Sequence, residues 1–122
     1  MPHAFPSELR AAAEALAIRL SRRDARQYGS LTGRLFVVLD RDEEDARQTV
    51  RSAIWLADWN LFNGEALHAA AMAEEYGRVG GDVGARLEVD FRVVAAEAAR
   101  DRDVIRALLT FGGHPPLAEW RP

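Results

Sequence analysis

Glu65 and His68 are the residues whose types and spacing come closest to a metal-binding pair. Two residues separate them, so a helix would place the carboxylate and the imidazole on one face. In di-metal helical bundles, Glu-x-x-His pairs on two helices supply such ligands. This chain contains a single such pair, and a second copy would have to supply another. A metal-binding bundle is therefore one alternative function, while a partly buried structural histidine is the simpler interpretation, without metal or cofactor.

Asp40 and Asp42 follow the most hydrophobic run of the chain, residues 35–39. This arrangement resembles the hhhhDxD signature of haloacid-dehalogenase-type phosphatases, which implies an aspartate nucleophile, a general acid and Mg²⁺. That family needs a doubly wound parallel sheet, which a chain with at most two candidate strands cannot form. Glu43 and Glu44 also replace the residues that normally follow the motif. We therefore interpret these acids as a helix start or a solvated turn.

The composition excludes several kinds of catalysis. Cysteine is absent, which removes thiolate nucleophiles, disulfides and cysteine-based zinc sites. All 16 basic residues are arginine, so Schiff-base chemistry and phosphate-binding P-loop lysines are also excluded. The arginine, alanine and glycine usage is typical of a GC-rich bacterial genome. The interpretation that follows is a non-enzymatic protein with no catalytic residues.

Four arginines form a stripe in the first predicted helix. Arg19, Arg22, Arg23 and Arg26 recur at spacings of three and four, which places them on one helical face. Such a stripe could bind phosphates, and it could equally contact an acidic protein surface or face solvent. We take these four residues as a candidate anion or nucleic-acid site.

Three tryptophans are more aromatic mass than a small helical core requires. Trp55 and Trp59 are four residues apart and would share a face of a helix that is apolar over more than half its circumference. Trp120 lies in the C-terminal tail. Helices this apolar occupy the core or an interface, and tryptophan is enriched at interfaces. We take Trp55, Trp59 and Trp120 as candidate interface residues.

Residues 33–46 resemble a segment of a known family. The run GRLFVVLDR, followed by Glu44, Asp45 and Ala46, looks like the GRLFAVLEK…EDA segment of the C-terminal helical domain of the type I-C CRISPR Cascade large subunit. In that family the domain is helical and is also made separately as a small subunit along the nucleic-acid path. The resemblance covers about 14 residues and implies a helix there and a nucleic-acid-associated role for the arginines.

The hydrophobic periodicity predicts an all-α bundle of four main helices joined by short loops. The predicted helices cover about residues 7–28, 34–60, 65–76 and 85–111, with Ser7 as a cap, Gly29 as the first stop and residues 77–84 as a loop. The alternative is a small α+β fold with strands at 35–39 and 86–93, where apolar residues also suit strands.

We expect one domain over residues 1–122, with arms at 1–6 and 113–122. The net charge is −3, yet residues 1–39 carry six arginines against three acids. Such a dipolar chain favours self-association or a charged partner. With no apolar run long enough to span a bilayer, we expect a cytoplasmic protein that does not interact with membranes. The leading functional hypothesis is an association module, acting as a homodimer or as a subunit of a larger complex; a nucleic-acid-associated small subunit is the alternative.

Overall fold

A computed structural model describes residues 5–40, 46–115 and 117 of the chain. These residues form five α-helices and contain no strand, so the all-α prediction is confirmed. The helices are α1 (Ser7–Ser21), α2 (Ala25–Asp40), α3 (Ala46–Ala53), α4 (Leu56–Val79) and α5 (Gly81–Phe111). The alternative α+β fold is wrong, because residues 35–39 lie in α2 and residues 86–93 lie in α5.

Burial along α2 shows why its hydrophobic run is helical. Leu35, Val38 and Leu39 are buried, whereas Phe36 and Val37 are 40% and 46% exposed. Buried positions spaced by three and four residues form one face of a helix, while a strand would alternate every second residue.

The first predicted helix, residues 7–28, is in fact two helices that break at residues 22–24. Asp24 begins α2 as its N-cap, since its Oδ1 accepts the Arg26 amide at 2.9 Å. Gly29 does not stop the helix, and α2 continues to Asp40. Ser7 begins α1 without a side-chain capping bond. Propensity alone does not predict this break, because the turn is fixed by a cap and by the contact of α2 with α1.

The predicted helix over 34–60 is also interrupted. Its parts are the end of α2, the short α3 and the start of α4, and residues 41–45 of the acidic cluster lie outside the described residues. At the second break, Asp58 Oδ2 accepts the amide of Trp55 at 2.8 Å. A third-position acid that reaches back to the N-cap amide is half of a capping box, and it begins a new helix at Leu56.

The predicted helix at 65–76 is too short, and the predicted loop at 77–84 is too long. α4 runs through residues 60–64 to Val79, and α5 begins at Gly81, so only Gly80 separates the two helices. Gly80 and Gly81 both have φ of +73°, which makes the tight reversal possible. A side chain on Gly84 would place its Cβ 2.8 Å from the Tyr76 carbonyl oxygen, so this glycine permits close packing of the hairpin.

The chain forms two compact units. Unit 1 comprises residues 1–58 and 104–122, and unit 2 comprises residues 59–103. In unit 2, the buried apolar residues are Trp59, Phe62, Ala66, Ala69, Ala73 and Ala98, and Tyr76 stacks on Phe91 at 5.6 Å between ring centroids. The core of unit 1 consists of Ala13, Leu16, Ala17, Leu20, Tyr28, Leu31, Leu35, Val38, Leu39, Val50, Ile54, Ile105, Leu108, Leu109 and Leu117. None of the described helices is both long and apolar enough to cross a bilayer.

Candidate functional site

Trp55 is a half-exposed tryptophan held in place by Arg34. Trp55 is 48% exposed, and the Arg34 guanidinium lies 3.6 Å from the centroid of its ring. The indole Nε1 donates to the Ser52 carbonyl at 3.2 Å. A cation stacked on one face and a hydrogen bond at the edge fix the orientation of the ring. Trp55 therefore presents a rigid aromatic surface to solvent in unit 1.

Arg34 is itself fixed by the Asp58 carboxylate and the Ala53 carbonyl. Its two η nitrogens donate to the two carboxylate oxygens of Asp58, each at 2.8 Å. Nη1 also donates to the Ala53 carbonyl at 2.7 Å, which satisfies the last turn of α3. This fork-shaped pairing joins α2, the end of α3 and the start of α4. No local pattern in the sequence indicates that Arg34 and Asp58 pair, because 24 residues separate them.

The other two predicted interface tryptophans do not add to this surface. Trp59 is only 4% exposed and belongs to unit 2. Because the helix breaks before Leu56, Trp55 precedes α4 and does not share a helical face with Trp59. Trp120 lies outside the described residues.

The four predicted anion-binding arginines do not form one helical stripe. Arg19 lies in the last turn of α1, Arg22 and Arg23 lie in the turn, and Arg26 lies in the first turn of α2. Arg23 lies over the Tyr28 ring, 5.6 Å from its centroid, and Arg19 is half-buried. The two exposed cations of the set are Arg22 and Arg26.

The Glu65 and His68 pair lies on α4, with Glu65 half-buried and His68 exposed, so the interpretation of His68 as a partly buried histidine is wrong. Across residues 5–40, 46–115 and 117, no group of three or more histidine and carboxylate side chains is arranged to hold a metal ion.

Unit 2 exposes an unusual number of large apolar side chains. Six valines and leucines of this unit are at least 49% exposed: Leu67, Val79, Val83, Val89, Val93 and Val94. Two helices can bury only the residues between them, so the outward face of each helix stays uncovered. A hairpin with this composition presents apolar surface that a partner could cover.

The outward face of α5 carries a regular pattern, which we name the α5 seam. It consists of Asp82, Arg86, Val89, Val93, Ala96 and Arg100. All six are exposed, and Val89 and Val93 are 60% and 52% exposed. The half-buried Leu87 and Phe91 lie on the other side of the helix. The spacing alternates between four and three residues, which is the pattern of helices that pack along their length.

The α5 seam was missed in the sequence because Val89 and Val93 also fit the alternation of a strand. A strand over residues 86–93 would place both valines on the same face as Leu87 and Phe91, whereas a helix puts the two pairs on opposite sides. Counting in steps of three and four from Val89 would have found the seam.

The chain matches no family model, no curated protein and no solved structure. The resemblance of residues 33–46 to the Cascade helical domain therefore stays a prediction.

Proposed function

We propose that this protein is an association module that pairs with a second copy of itself through the α5 seam. The observation that supports the proposal is the exposure of Val89 and Val93, one turn apart on the uncovered face of α5. Covering solvent-exposed valines in the middle of a long helix with another helix lowers the free energy, because apolar surface is removed from water.

The symmetry of the α5 seam indicates a second copy of this chain as the partner. Successive positions of the α5 seam are four, three, four, three and four residues apart, so the spacing is symmetric about residue 91. An antiparallel copy related by a two-fold axis near residue 91 therefore places Val89 against the partner's Val93. It also places Asp82 against the partner's Arg100, so opposite charges meet at both ends.

The same residues disfavour a parallel pair. In a parallel arrangement each position of the α5 seam meets its own copy. Arg86 would then face the partner's Arg86, and Asp82 would face the partner's Asp82. In the antiparallel pair, Arg86 instead meets Ala96 of the partner subunit, whose small side chain leaves room for the aliphatic stem of the arginine.

The pairing is expected to be weak. Covering the exposed part of each valine is worth about 1 kcal/mol, and association loses translational and rotational freedom. A single helix pair falls below the roughly 1,200 Å² of stable interfaces. Asp90 opposes the pairing, because the two-fold axis brings it near its own copy on the rim. A self-repulsion there costs a few tenths of a kcal/mol, so the valines outweigh it.

Sedimentation equilibrium from micromolar to millimolar concentration tests the proposal. The unmodified chain is expected to show a reversible monomer–dimer equilibrium, and the double variant V89E/V93E is expected to stay monomeric. Val94→Glu is the matched control, because Val94 is a similarly exposed valine of α5 that lies off the α5 seam. Asp90→Asn is expected to strengthen the dimer. A strictly monomeric wild type, or equal loss in V94E and V89E/V93E, would refute the proposal.

Charge reversal separates pairing with this symmetry from other modes of association. In a homodimer of Asp82→Arg, two arginines meet at each end, and in a homodimer of Arg100→Asp, two aspartates meet at each end. Each variant should therefore dimerise less than the wild type. Mixing the two variants restores opposite charges at both ends and should give heterodimers. If neither substitution nor the mixing of the two variants changes the dissociation constant of the dimer, a different surface mediates association.

A further inference from the structure

A cavity of about 270 Å³ lies in unit 1 between α3 and the C-terminal end of α5. Its apolar walls are formed by Val50, Ile54, Leu109 and Pro115. The rest of its lining consists of Arg51, Gly112, Gly113 and His114. Three of the apolar residues, at positions 50, 54 and 109, belong to the core of unit 1, so the cavity borders the hydrophobic interior.

Two glycines at the end of α5 shape one side of the cavity. A Cβ on Gly112 would lie 3.3 Å from both Cα and the amide nitrogen of Arg51, so a larger residue would press α3 and α5 apart. Gly113 has φ of +94°, which turns the chain away from the helix axis. The Nη2 atoms of Arg47 and Arg51 lie 2.8 and 2.9 Å from the position that a Cβ on Gly113 would occupy. The two glycines therefore fix how closely α3 approaches the end of α5.

The polar groups at this end form hydrogen bonds within the protein. The backbone amides of residues 112–114 donate to carbonyls in the last turn of α5, at distances of 2.9 to 3.0 Å. Arg51 Nε donates to the Gly112 carbonyl at 2.7 Å, and His114 Nδ1 lies 2.8 Å from the Pro115 carbonyl oxygen. Because these groups already have partners, the main attraction that the cavity offers a ligand is the removal of apolar surface from water.

The volume of the cavity sets the size of the ligand. An apolar cavity of about 150 Å³ stays dry and binds one benzene ring. The volume of about 270 Å³ is larger, and it suits two fused rings. It lies just below the range of about 300–1,000 Å³ that is typical of pockets for drug-sized ligands. The positive charge of Arg51 in the lining also disfavours a cationic ligand, because like charges repel.

We propose that this cavity binds a neutral bicyclic aromatic molecule of about the size of indole. The fused rings lie between Val50, Ile54 and Leu109, and Pro115 covers their outer edge. All residues of this site belong to unit 1, whereas the α5 seam belongs to unit 2. Ligand binding and dimerisation can therefore fail independently of each other.

Titration of the full chain with indole, followed by ¹H–¹³C methyl NMR, tests the site. Indole is expected to shift the methyl signals of Val50, Ile54 and Leu109 with a dissociation constant of about 1 mM or lower. The methyl signals of the exposed Val89 and Val93 report non-specific binding and should not saturate over the same range.

Benzimidazole is the matched control ligand. It has the shape of indole, but one ring CH is replaced by a nitrogen that needs a hydrogen bond, so at neutral pH it should bind about tenfold more weakly. Absence of saturable shifts near the solubility limit of indole overturns the site. Equal affinity for benzimidazole overturns the apolar character of the ligand.

Filling the cavity from its wall tests where the ligand lies. Val50→Phe places a ring in the space and should weaken indole binding by about tenfold or more. Val37→Phe is the control for binding, because Val37 is exposed on α2 and does not line the cavity. It should bind indole like the wild type. Unchanged indole affinity in V50F would contradict the proposal.

The stability of V50F tests the cavity without any ligand. Its melting temperature should stay close to that of the wild type, because the added ring enters space that already exists. Val38→Phe is the matched control, because Val38 is an equally buried valine that does not line the cavity. V38F should melt several degrees lower, since a closely packed core does not accept a larger side chain. Equal destabilisation of V50F and V38F would show that the space cannot hold a ring.

Discussion

Arg34 shows how much one side chain can organise in this protein. It stacks on Trp55, pairs with the buried Asp58 and binds the last carbonyl of α3. The side chains of Arg34 and Asp58 are only 18% and 7% exposed, so water screens their attraction weakly. A buried carboxylate that loses its partner keeps the cost of desolvation without the compensating attraction.

Replacing Arg34 by Met is therefore expected to lower the free energy of unfolding by about 3 kcal/mol. The double variant R34M/D58N should be more stable than R34M, because no uncompensated charge stays buried. Urea unfolding measures both. Arg26→Met, at an exposed position, should change stability by less than about 0.5 kcal/mol. If R34M and R26M have the same free energy of unfolding, the Arg34–Asp58 pair does not stabilise the fold.

At the scale of elements, the starts of α2 and α4 depend on aspartate caps, whereas the α4–α5 reversal and the end of α5 use glycines with positive φ. Gly29, Gly33 and Gly64 all lie inside helices, although each costs about 1 kcal/mol relative to alanine. The breaks before α2 and before α4 occur where an aspartate accepts a backbone amide, as Asp24 and Asp58 do. Tertiary contacts outweigh the propensity of a single glycine, whereas a cap satisfies amides that would otherwise lack a partner.

Asp24→Ala is expected to lower the free energy of unfolding by about 1 kcal/mol, because the first turn of α2 loses its side-chain acceptor. Asp24→Asn, which retains that acceptor, should lose less than half as much. Chemical denaturation with circular dichroism at 222 nm measures the difference. Equal destabilisation by the two substitutions would mean that the charge of Asp24, and not its capping bond, matters.

At the scale of the whole molecule, apolar surface is unevenly distributed. Unit 1 buries residues of α1, α2, α3 and the end of α5, whereas unit 2 has α4 and α5 alone and leaves six large apolar side chains exposed. A two-helix unit gains stability from a partner, which couples folding to association.

The melting temperature of the full chain is therefore expected to rise with protein concentration. Above the dissociation constant, each tenfold increase should raise it by about 2 to 3 °C, because dimerisation stabilises only the folded state. Calorimetry over two decades of concentration measures the shift. The V89E/V93E variant should melt at a temperature independent of concentration, and a similar dependence in this variant would point to another interface.

The helical class of the described residues and the end of α5 at Gly112 and Gly113 could both be predicted from the sequence. Both follow from local chemistry, namely the helical spacing of apolar residues and the conformations that glycine permits. Which helical faces are covered depends on the tertiary structure and could not be predicted from the sequence. Periodicity identifies residues that share a face, but burial depends on the neighbouring helices, so Trp59 is buried while Trp55 and Val89 are exposed. The convergence of Arg47 and Arg51 on Gly113 likewise arises from contacts distant in sequence.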